Sequence, residues 1–564
     1  MKIVSFVRRP SPKRGAASVE HGIVLDDGAS FVDAAGIAAL RDVPSDGRLN
    51  RLLTMEPAER ARIVAELPRK GEPLDSVTLQ SASPFCPLYL LMHGNTPIIF
   101  KRQHPESRWQ FPRIPYVRIR PWTSHLGHGE EFVVPEGGRL NHGAELGVVI
   151  GKPAYRVPED QAANHIAGFT VTNDGSLHDL HKEFMSPPEE RISPYQATAL
   201  ATLYKAADGS GMMGPWITTA EEVGDHYDLL LYTYNDGQRQ NRSWSGSYLM
   251  LAEFLIAYFS RFMTLPTGTA ISLAAAGWDG SSADLPHAIG SRRSIEVEIE
   301  KLGKLRTTVR RVGAVTESPL IARLKSIGLP ARRPPSVGPA VWMLRSGYRE
   351  SDVFDGIPVE TGMCPHLYPP GSLADCVAPL VLPPHAADIR CSVQLAVVIG
   401  KPVYRATPQN ALDFVAGAAP ILAVRDTSLS AALHSPTAYE LRASYFLGCC
   451  GDGFFRLGAT RPLREIADLS HTRMRLSAPG IGEMEYTTAD YRFGFAEMIT
   501  IVSRIGTLTP GDVLSLGVAG RELVLPAARI GEARKLVASV AGLDEIVVSI
   551  NDERDPAWRD PEPR

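Results

Sequence analysis

The sequence predicts a mixed α/β chain, mainly β, with two large β-rich domains in tandem behind a small N-terminal β-rich segment. Three observations lead there. At 564 residues the chain is too long for one ordinary hydrophobic core. It holds 49 glycines and 45 prolines, about one residue in six against about one in eight in average chains. Those residues interrupt regular elements and supply tight turns, so short strands and structured loops are expected. Finally, the chain repeats itself.

Residues 145–159 read ELGVVIGKPAYRVPE and residues 394–408 read QLAVVIGKPVYRATP, with nine of fifteen positions identical. Random matching gives about one. The likeness continues from AANHIAGFTVTNDGSL at 162–177 to ALDFVAGAAPILAVRDTSL at 411–429. A separation of about 250 residues marks a duplicated globular domain and not a solenoid repeat. Two such domains in one chain pack like the subunits of a two-fold dimer, an intramolecular pseudo-dimer, and a homo-oligomer stays open.

The elements follow in order. The N-terminal segment, 1–78, has short alternating runs, KIVSF and GIVLDD, and EPAERARIVAEL at 56–67 has apolar positions at helical spacing. The first large domain is expected over 79–312 and the second over 313–564. In each, a strand (LGVVIG or LAVVIG) stops at Gly151 or Gly400, and a short amphipathic helix follows near 159–167 or 408–416. A second strand (FTVTN or ILAVR) ends at Asp174 or Asp426. Helical stretches at 247–261 and 491–504 precede the turn-rich strands LPTGTAISLAA and LTPGDVLSLGV. The run at 292–311, RRSIEVEIEKLGKLRTTVRR, reads as charged solvent-edge strands, and RLKSIGLPARRPPSVG after it as a linker.

Several function classes fall away. With 59 basic and 62 acidic side chains, a net charge of -3, nothing favours nucleic acid or a membrane as partner. The apolar run YLMLAEFLIAYF at 248–259 is too short to span a bilayer and contains Glu253. Six cysteines in so long a chain form no disulfide scaffold, and the adjacent Cys449 and Cys450 read as buried packing. A reduced, cytoplasmic location is expected, and the opening MKIVSFVRRPSPKRG lacks the apolar stretch of a signal peptide. GSGMMG has the wrong spacing for a nucleotide loop, and no G-x-S-x-G setting supports a serine nucleophile.

AELGVVIGK at 144–152, GFTVTNDGSLHD at 168–179, MGPWITTAEEVGD at 213–225, YNDGQRQ at 234–240 and GKLRTTVRR at 303–311 form a recognisable set. The second copy retains LAVVIGK, RDTS and TPGDVLSLG. Together these resemble the fumarylacetoacetate hydrolase superfamily, in particular members with two fused copies. The resemblance implies two twisted, β-rich domains of that type. It also implies enolate-type hydrolysis, decarboxylation or isomerisation of a small keto or enol metabolite. Mg²⁺ or Mn²⁺ held by carboxylates is the family's usual cofactor, since hard divalent ions prefer oxygen ligands and stabilise developing oxyanion charge.

The family's Glu-x-Glu and later Asp fall here on Gly143, Glu145 and Asp174, so glycine replaces one ligand and Glu145 and Asp174 are left as the metal candidates. In the second copy Ser392 and Gln394 stand at the Glu-x-Glu positions beside Asp426, and no metal is expected there. His178 occupies the place of a substrate-binding arginine, Lys205 falls near a recurrent lysine, and Gln240 matches a recurrent glutamine. His93, in YLLMHGNTPIIFK, stands nearest the family's catalytic histidine, and His142 is a further candidate base. His125 and His128, beside Glu130 and Glu131, are spare candidates. Activity is therefore expected in the first copy, with the second as a pseudo-subunit. Two rivals stay open: a metal-independent cyclase, lyase or isomerase, and a non-catalytic binding or assembly protein.

Overall fold

The computed structural model describes residues 1–8, 17–97, 113–135, 140–177, 202–203, 205–276, 281–283, 292–313, 317–344, 353–354, 357–358, 365–434, 438–466, 468–518 and 522–555. The repeated apolar runs become the central strands of two similar sheets. Ala144–Ile150 is buried at every position, as a continuous apolar run requires when both faces are covered, and pairs antiparallel with Ile166–Asp174. Ile389–Ile399 pairs antiparallel with Val415–Asp426 in the second copy.

The duplication extends to topology. In the first sheet the strands Gly211–Thr219, Ile166–Asp174, Ala144–Ile150, Ala270–Ala275, Tyr89–Met92 and Val117–Arg120 lie side by side. In the second the order is Phe455–Leu457, Val415–Asp426, Ile389–Ile399, Val513–Ser515, Val341–Leu344 and Pro365–Tyr368. The same step is parallel in both, between Ala270–Ala275 and Tyr89–Met92 and between Val513–Ser515 and Val341–Leu344. Each copy also carries a five-stranded sheet of matching order. It runs from Gln238–Trp244 through Leu230–Asn235, Arg292–Ile299 and Gly303–Val312 to Glu131–Pro135 in the first. In the second it runs from Gly482–Thr487 through Arg473–Ala478, Lys535–Val540 and Ile546–Asp552 to Leu380–Leu382. Two strand-rich domains of one kind thus stand in tandem.

The chain divides into one unit of 1–111, 117–180 and 204–337 and another of 112–116, 181–203 and 338–564. The N-terminal strands extend the first unit's large sheet. Lys2–Val7 pairs antiparallel with Gly211–Thr219 and carries Val19–Val24 and Ser30–Asp33 beyond it. Ile3, Ile23, Leu52 and Ile63 share one apolar cluster with Tyr89, Val149 and Met213. The helix Pro319–Ser326 starts at Ser318, whose Oγ accepts the Ile321 N–H at 3.1 Å, and buries Leu320 and Leu324 with Trp122 and Val337. Residues read as a linker therefore pack into the first unit.

The charged run at 292–311 departs from its reading as solvent-edge strands. Arg292–Ile299 and Gly303–Val312 are interior strands of the five-stranded sheet. Ile295, Val297, Leu305 and Val309 are buried on one face and the charges alternate onto the other. Among the described residues no helix is long and apolar enough to cross a membrane. Cys449 and Cys450 are buried and form no disulfide.

Two glycines at matching positions of the repeat make close backbone approach possible. A Cβ on Gly168 would stand 2.3 Å from the Thr218 carbonyl oxygen, and one on Gly417 would stand 2.1 Å from that of Arg461. Gly168→Ala is expected to lower stability by at least about 1–3 kcal/mol, because backbone and not a flexible side chain must move. Urea denaturation checks this.

Candidate active site

Four charged side chains converge where strands of the first unit's large sheet end. Glu145 lies near the start of Ala144–Ile150, with its backbone opposite Thr172 of the neighbouring strand. Asp174 ends that neighbouring strand. Arg120 closes Val117–Arg120, where Pro121 ends the run, and Lys205 stands ahead of Gly211–Thr219. Asp174 is held on both oxygens: Arg120 Nη2 donates to Oδ1 and Lys205 Nζ to Oδ2. Arg120 also donates to Ser210 Oγ at 2.7 Å and to the Gly175 carbonyl at 3.0 Å. Glu145 accepts from Ser272 Oγ, which lies 2.9 Å from Thr172 Oγ1. Asp174 and Lys205 keep 13% and 10% side-chain exposure, while Arg120 has none. The cluster is therefore reached from the Asp174–Lys205 side.

The two acids behave in opposite ways. Burial, reinforced by the charge of Asp174, pushes the Glu145 carboxyl up to about 8, although Lys205, Ser272 and Arg120 pull the other way. Burial also works against ionised Asp174, but the adjoining Lys205 and Arg120 outweigh it and hold its carboxyl below the usual value. Burial lowers Lys205 against the attraction of Asp174. Near neutral pH Glu145 is then mostly protonated, and two cations face one carboxylate, leaving one positive charge in excess.

The second copy presents the same strand positions with neutral chemistry. Gln394 replaces Glu145, and Ser515 Oγ donates to Gln394 Oε1 at 2.5 Å, as Ser272 does to Glu145. Ser272 and Ser515 occupy equivalent register positions, opposite Gly147 and Ala396. A neutral amide thus fills the place that a protonated Glu145 fills. Asp426 accepts from the Ser428 N–H at 2.8 Å and its Oγ at 2.7 Å, lies 3.5 Å from His385, and is raised by burial.

A pH effect on stability follows from Glu145. Its folded-state value lies above the ordinary carboxyl value of 4.5, so the native state holds a proton that the unfolded chain releases. Stability is lost as pH rises from about 4.5 toward about 8. In thermal melts, Glu145→Gln should gain on wild type between about pH 5 and about pH 9. A constant difference across that range would contradict the assignment.

The sequence-derived candidates separate clearly. Glu145, Asp174 and Lys205 come together. His93 Nδ1 accepts from Arg118 Nη1 at 2.9 Å. His142 is buried, donates through Nε2 to Asn235 Oδ1 at 2.7 Å, and is lowered chiefly by burial. Gln240 is exposed on the outermost strand of the five-stranded sheet and donates to the Gln238 carbonyl at 3.0 Å. His178 lies outside the described residues. Glu130 pairs with Arg323, and Glu131 with Arg292 and Arg310. Arg120 and Ser272 were not singled out from sequence. The available signal was VRIR at 117–120, an alternating strand pattern that ends in an arginine just before proline.

The arrangement does not fit a divalent ion as it stands. Both Asp174 oxygens carry cations. A hard ion requires ionised oxygen donors, which the two cations would have to release.

The chain is similar to several known proteins. The enzyme named 4-hydroxyphenylacetate degradation bifunctional isomerase/decarboxylase from Salmonella dublin is 33% identical over 162 residues, 28% of this chain and 35% of that protein. The 2,4-didehydro-3-deoxy-L-rhamnonate hydrolase of Sphingomonas sp. (strain SKA58) is 28% identical over 281 residues, 47% of this chain and 90% of the relative. A crystal structure of 5-carboxymethyl-2-hydroxymuconate delta-isomerase from Mycobacterium smegmatis covers 56% of this chain and 100% of its own, at 22% identity and a TM-score of 0.39. The model of the fumarylacetoacetate (FAA) hydrolase C-terminal family matches residues 95–310 and again 358–552, and the chain belongs to that family in two tandem copies.

Proposed function

We propose that the first repeat is an enzyme of enolate chemistry that isomerises, decarboxylates or hydrolyses a small keto or enol acid without a divalent ion. The observation that carries this reading is the pairing of Lys205 and Arg120 on Asp174 beside the buried Glu145. Fixed positive charge in a water-poor site stabilises an enolate oxygen, the task a metal performs elsewhere. Here Lys205, at the accessible edge, meets the substrate oxygen, and Arg120 holds Asp174 and Lys205 in place. Glu145 gives its proton to the enolate carbon and is restored by a proton from the substrate's other carbon or from water. The kinship with proteins named isomerase/decarboxylase and hydrolase supports the reaction class.

The excess positive charge also sets the substrate's charge, since a monoanion balances it. Ionisation of Glu145 removes that excess, so KM for an acid substrate should rise above about pH 8. The test incubates the full chain with a panel of small 2-oxo acids in deuterated water and follows deuterium uptake and product by NMR. Turnover should appear without added Mg²⁺ or Mn²⁺, persist in Asp426→Asn and fall in Glu145→Gln. Turnover that appears only with added metal, or that survives unchanged in Glu145→Gln, would overturn the reading.

A further inference from the structure

Each five-stranded sheet ends on a strand with an unpaired backbone edge. In the first repeat that strand is Gln238–Trp244, and in the second it is Gly482–Thr487. Among the described residues neither has a strand partner on its outer side. A free edge offers a row of N–H and C=O groups to another strand, and proteins ordinarily blunt it with charge. These two edges carry opposite charges. Gln238–Trp244 holds Arg239 and Arg242 and no acid, whereas Gly482–Thr487 holds Glu483 and Glu485 and no base.

The spacing of the charges matches as well. The register shifts between Thr233 and Tyr234, so Arg242 lies opposite Tyr232 and Arg239 opposite Tyr234, with Gln240 as the extra residue. That bulge brings two arginines three residues apart onto one face at the spacing of an ordinary i, i+2 pair. Glu483 and Glu485 are such a pair, opposite Ser477 and Arg475. Both pairs stand on the open face of their sheet. On the other face Leu231 and Thr233, beside the arginines, and Met474 and Leu476, beside the glutamates, are buried. All four charged side chains are exposed. Among the described residues no ion pair engages Arg239, Arg242 or Glu485, and Glu483 meets Arg475 at 2.5 Å.

We propose that the edge Gln238–Trp244 of one copy of this chain pairs antiparallel with the edge Gly482–Thr487 of a second copy. The two sheets share one strand order, so a half-turn about the sheet normal sets their edge strands antiparallel with both open faces on one side. Arg239 then falls opposite Glu485 and Arg242 opposite Glu483. The same register sets Trp244, 48% exposed, opposite the half-buried Ile481. Opposite charges across a strand pair stabilise it and like charges oppose it. Each edge therefore excludes its own kind and accepts the other. Because the contact joins unlike surfaces, association continues to further copies or closes into a ring.

Sedimentation velocity of the full chain over a concentration series tests the proposal. The average mass should exceed that of one chain and rise with concentration at about 0.1 M salt, where charges act over about 10 Å. It should fall at about 1 M salt, where they act over about 3 Å. Arg239→Glu with Arg242→Glu leaves a chain with two acidic edges, and Glu483→Arg with Glu485→Arg leaves one with two basic edges. Alone, each double variant should associate at least about tenfold more weakly than wild type, since two attractive pairs become repulsive. Mixed in equal amounts, the two should recover association, because the acidic edges of one meet the basic edges of the other. Recovery also shows that both variants are folded. A single-chain mass at every concentration, association unchanged in either double variant, or a mixture that stays apart would each overturn the assignment.

Discussion

Glu145→Gln is expected to lower turnover by about 10²–10⁴-fold, the usual contribution of a positioned acid or base, with the fold intact. The second copy supplies the structural half of that expectation. Gln394 already sits at the matching strand position and accepts the same serine hydrogen bond. An amide there is compatible with the sheet, and what it lacks is a transferable proton. Substrate binding should change little, because the charge lost at neutral pH is small, so kcat should fall more than KM rises. Asp426→Asn is the matched control. It removes a carboxylate bound by Ser428 and near His385, and turnover should stay near wild type. A comparable loss of kcat in Asp426→Asn would move the chemistry to the other repeat.

Asp174→Asn should have the largest effect on stability. Arg120 is wholly buried and Lys205 nearly so, and Asp174 is the carboxylate that balances both. Removing one partner of a buried charge set costs about 3–5 kcal/mol, because the remaining charge is uncompensated. Lys205 can relieve part of this by losing its proton. The urea midpoint should therefore fall sharply at neutral pH and recover partly at alkaline pH, as Lys205 becomes neutral. Had Asp174 served as a metal ligand with free oxygens, its replacement by Asn would cost little in metal-free buffer.

Much of the fold was legible because the central strands are buried on both faces and so must be written as unbroken apolar runs. VVIG at 148–151 and 397–400 survived duplication for that reason, along with the glycines that let neighbouring backbones approach. Other features depended on distant pairing that no local pattern records. Lys2 lies opposite Thr218, so a segment that reads as a separate β-rich piece adds strands to the first large sheet. The alternating charges at 292–311 suggested an edge, whereas the strands are interior with one face open.

The site was legible in part. Glu145 and Asp174 follow the repeated strands, and Lys205 joins them. Arg120 was missed because an arginine at a strand end ordinarily reads as solvent-facing, and only the folded sheet brings it onto Asp174. Gln240 illustrates the converse. Its motif is present, but its strand is the outermost of the small sheet and its side chain faces solvent.

The most direct test of the central claim is a pH titration of the Glu145 carboxyl itself, by carbon-13 NMR of glutamate-labelled protein with the resonance assigned by its absence in Glu145→Gln. The predicted midpoint is about 8, unchanged by millimolar Mg²⁺ or Mn²⁺. A midpoint near the ordinary value of 4.5, or one drawn down by added metal, would contradict a metal-free site run on a protonated Glu145.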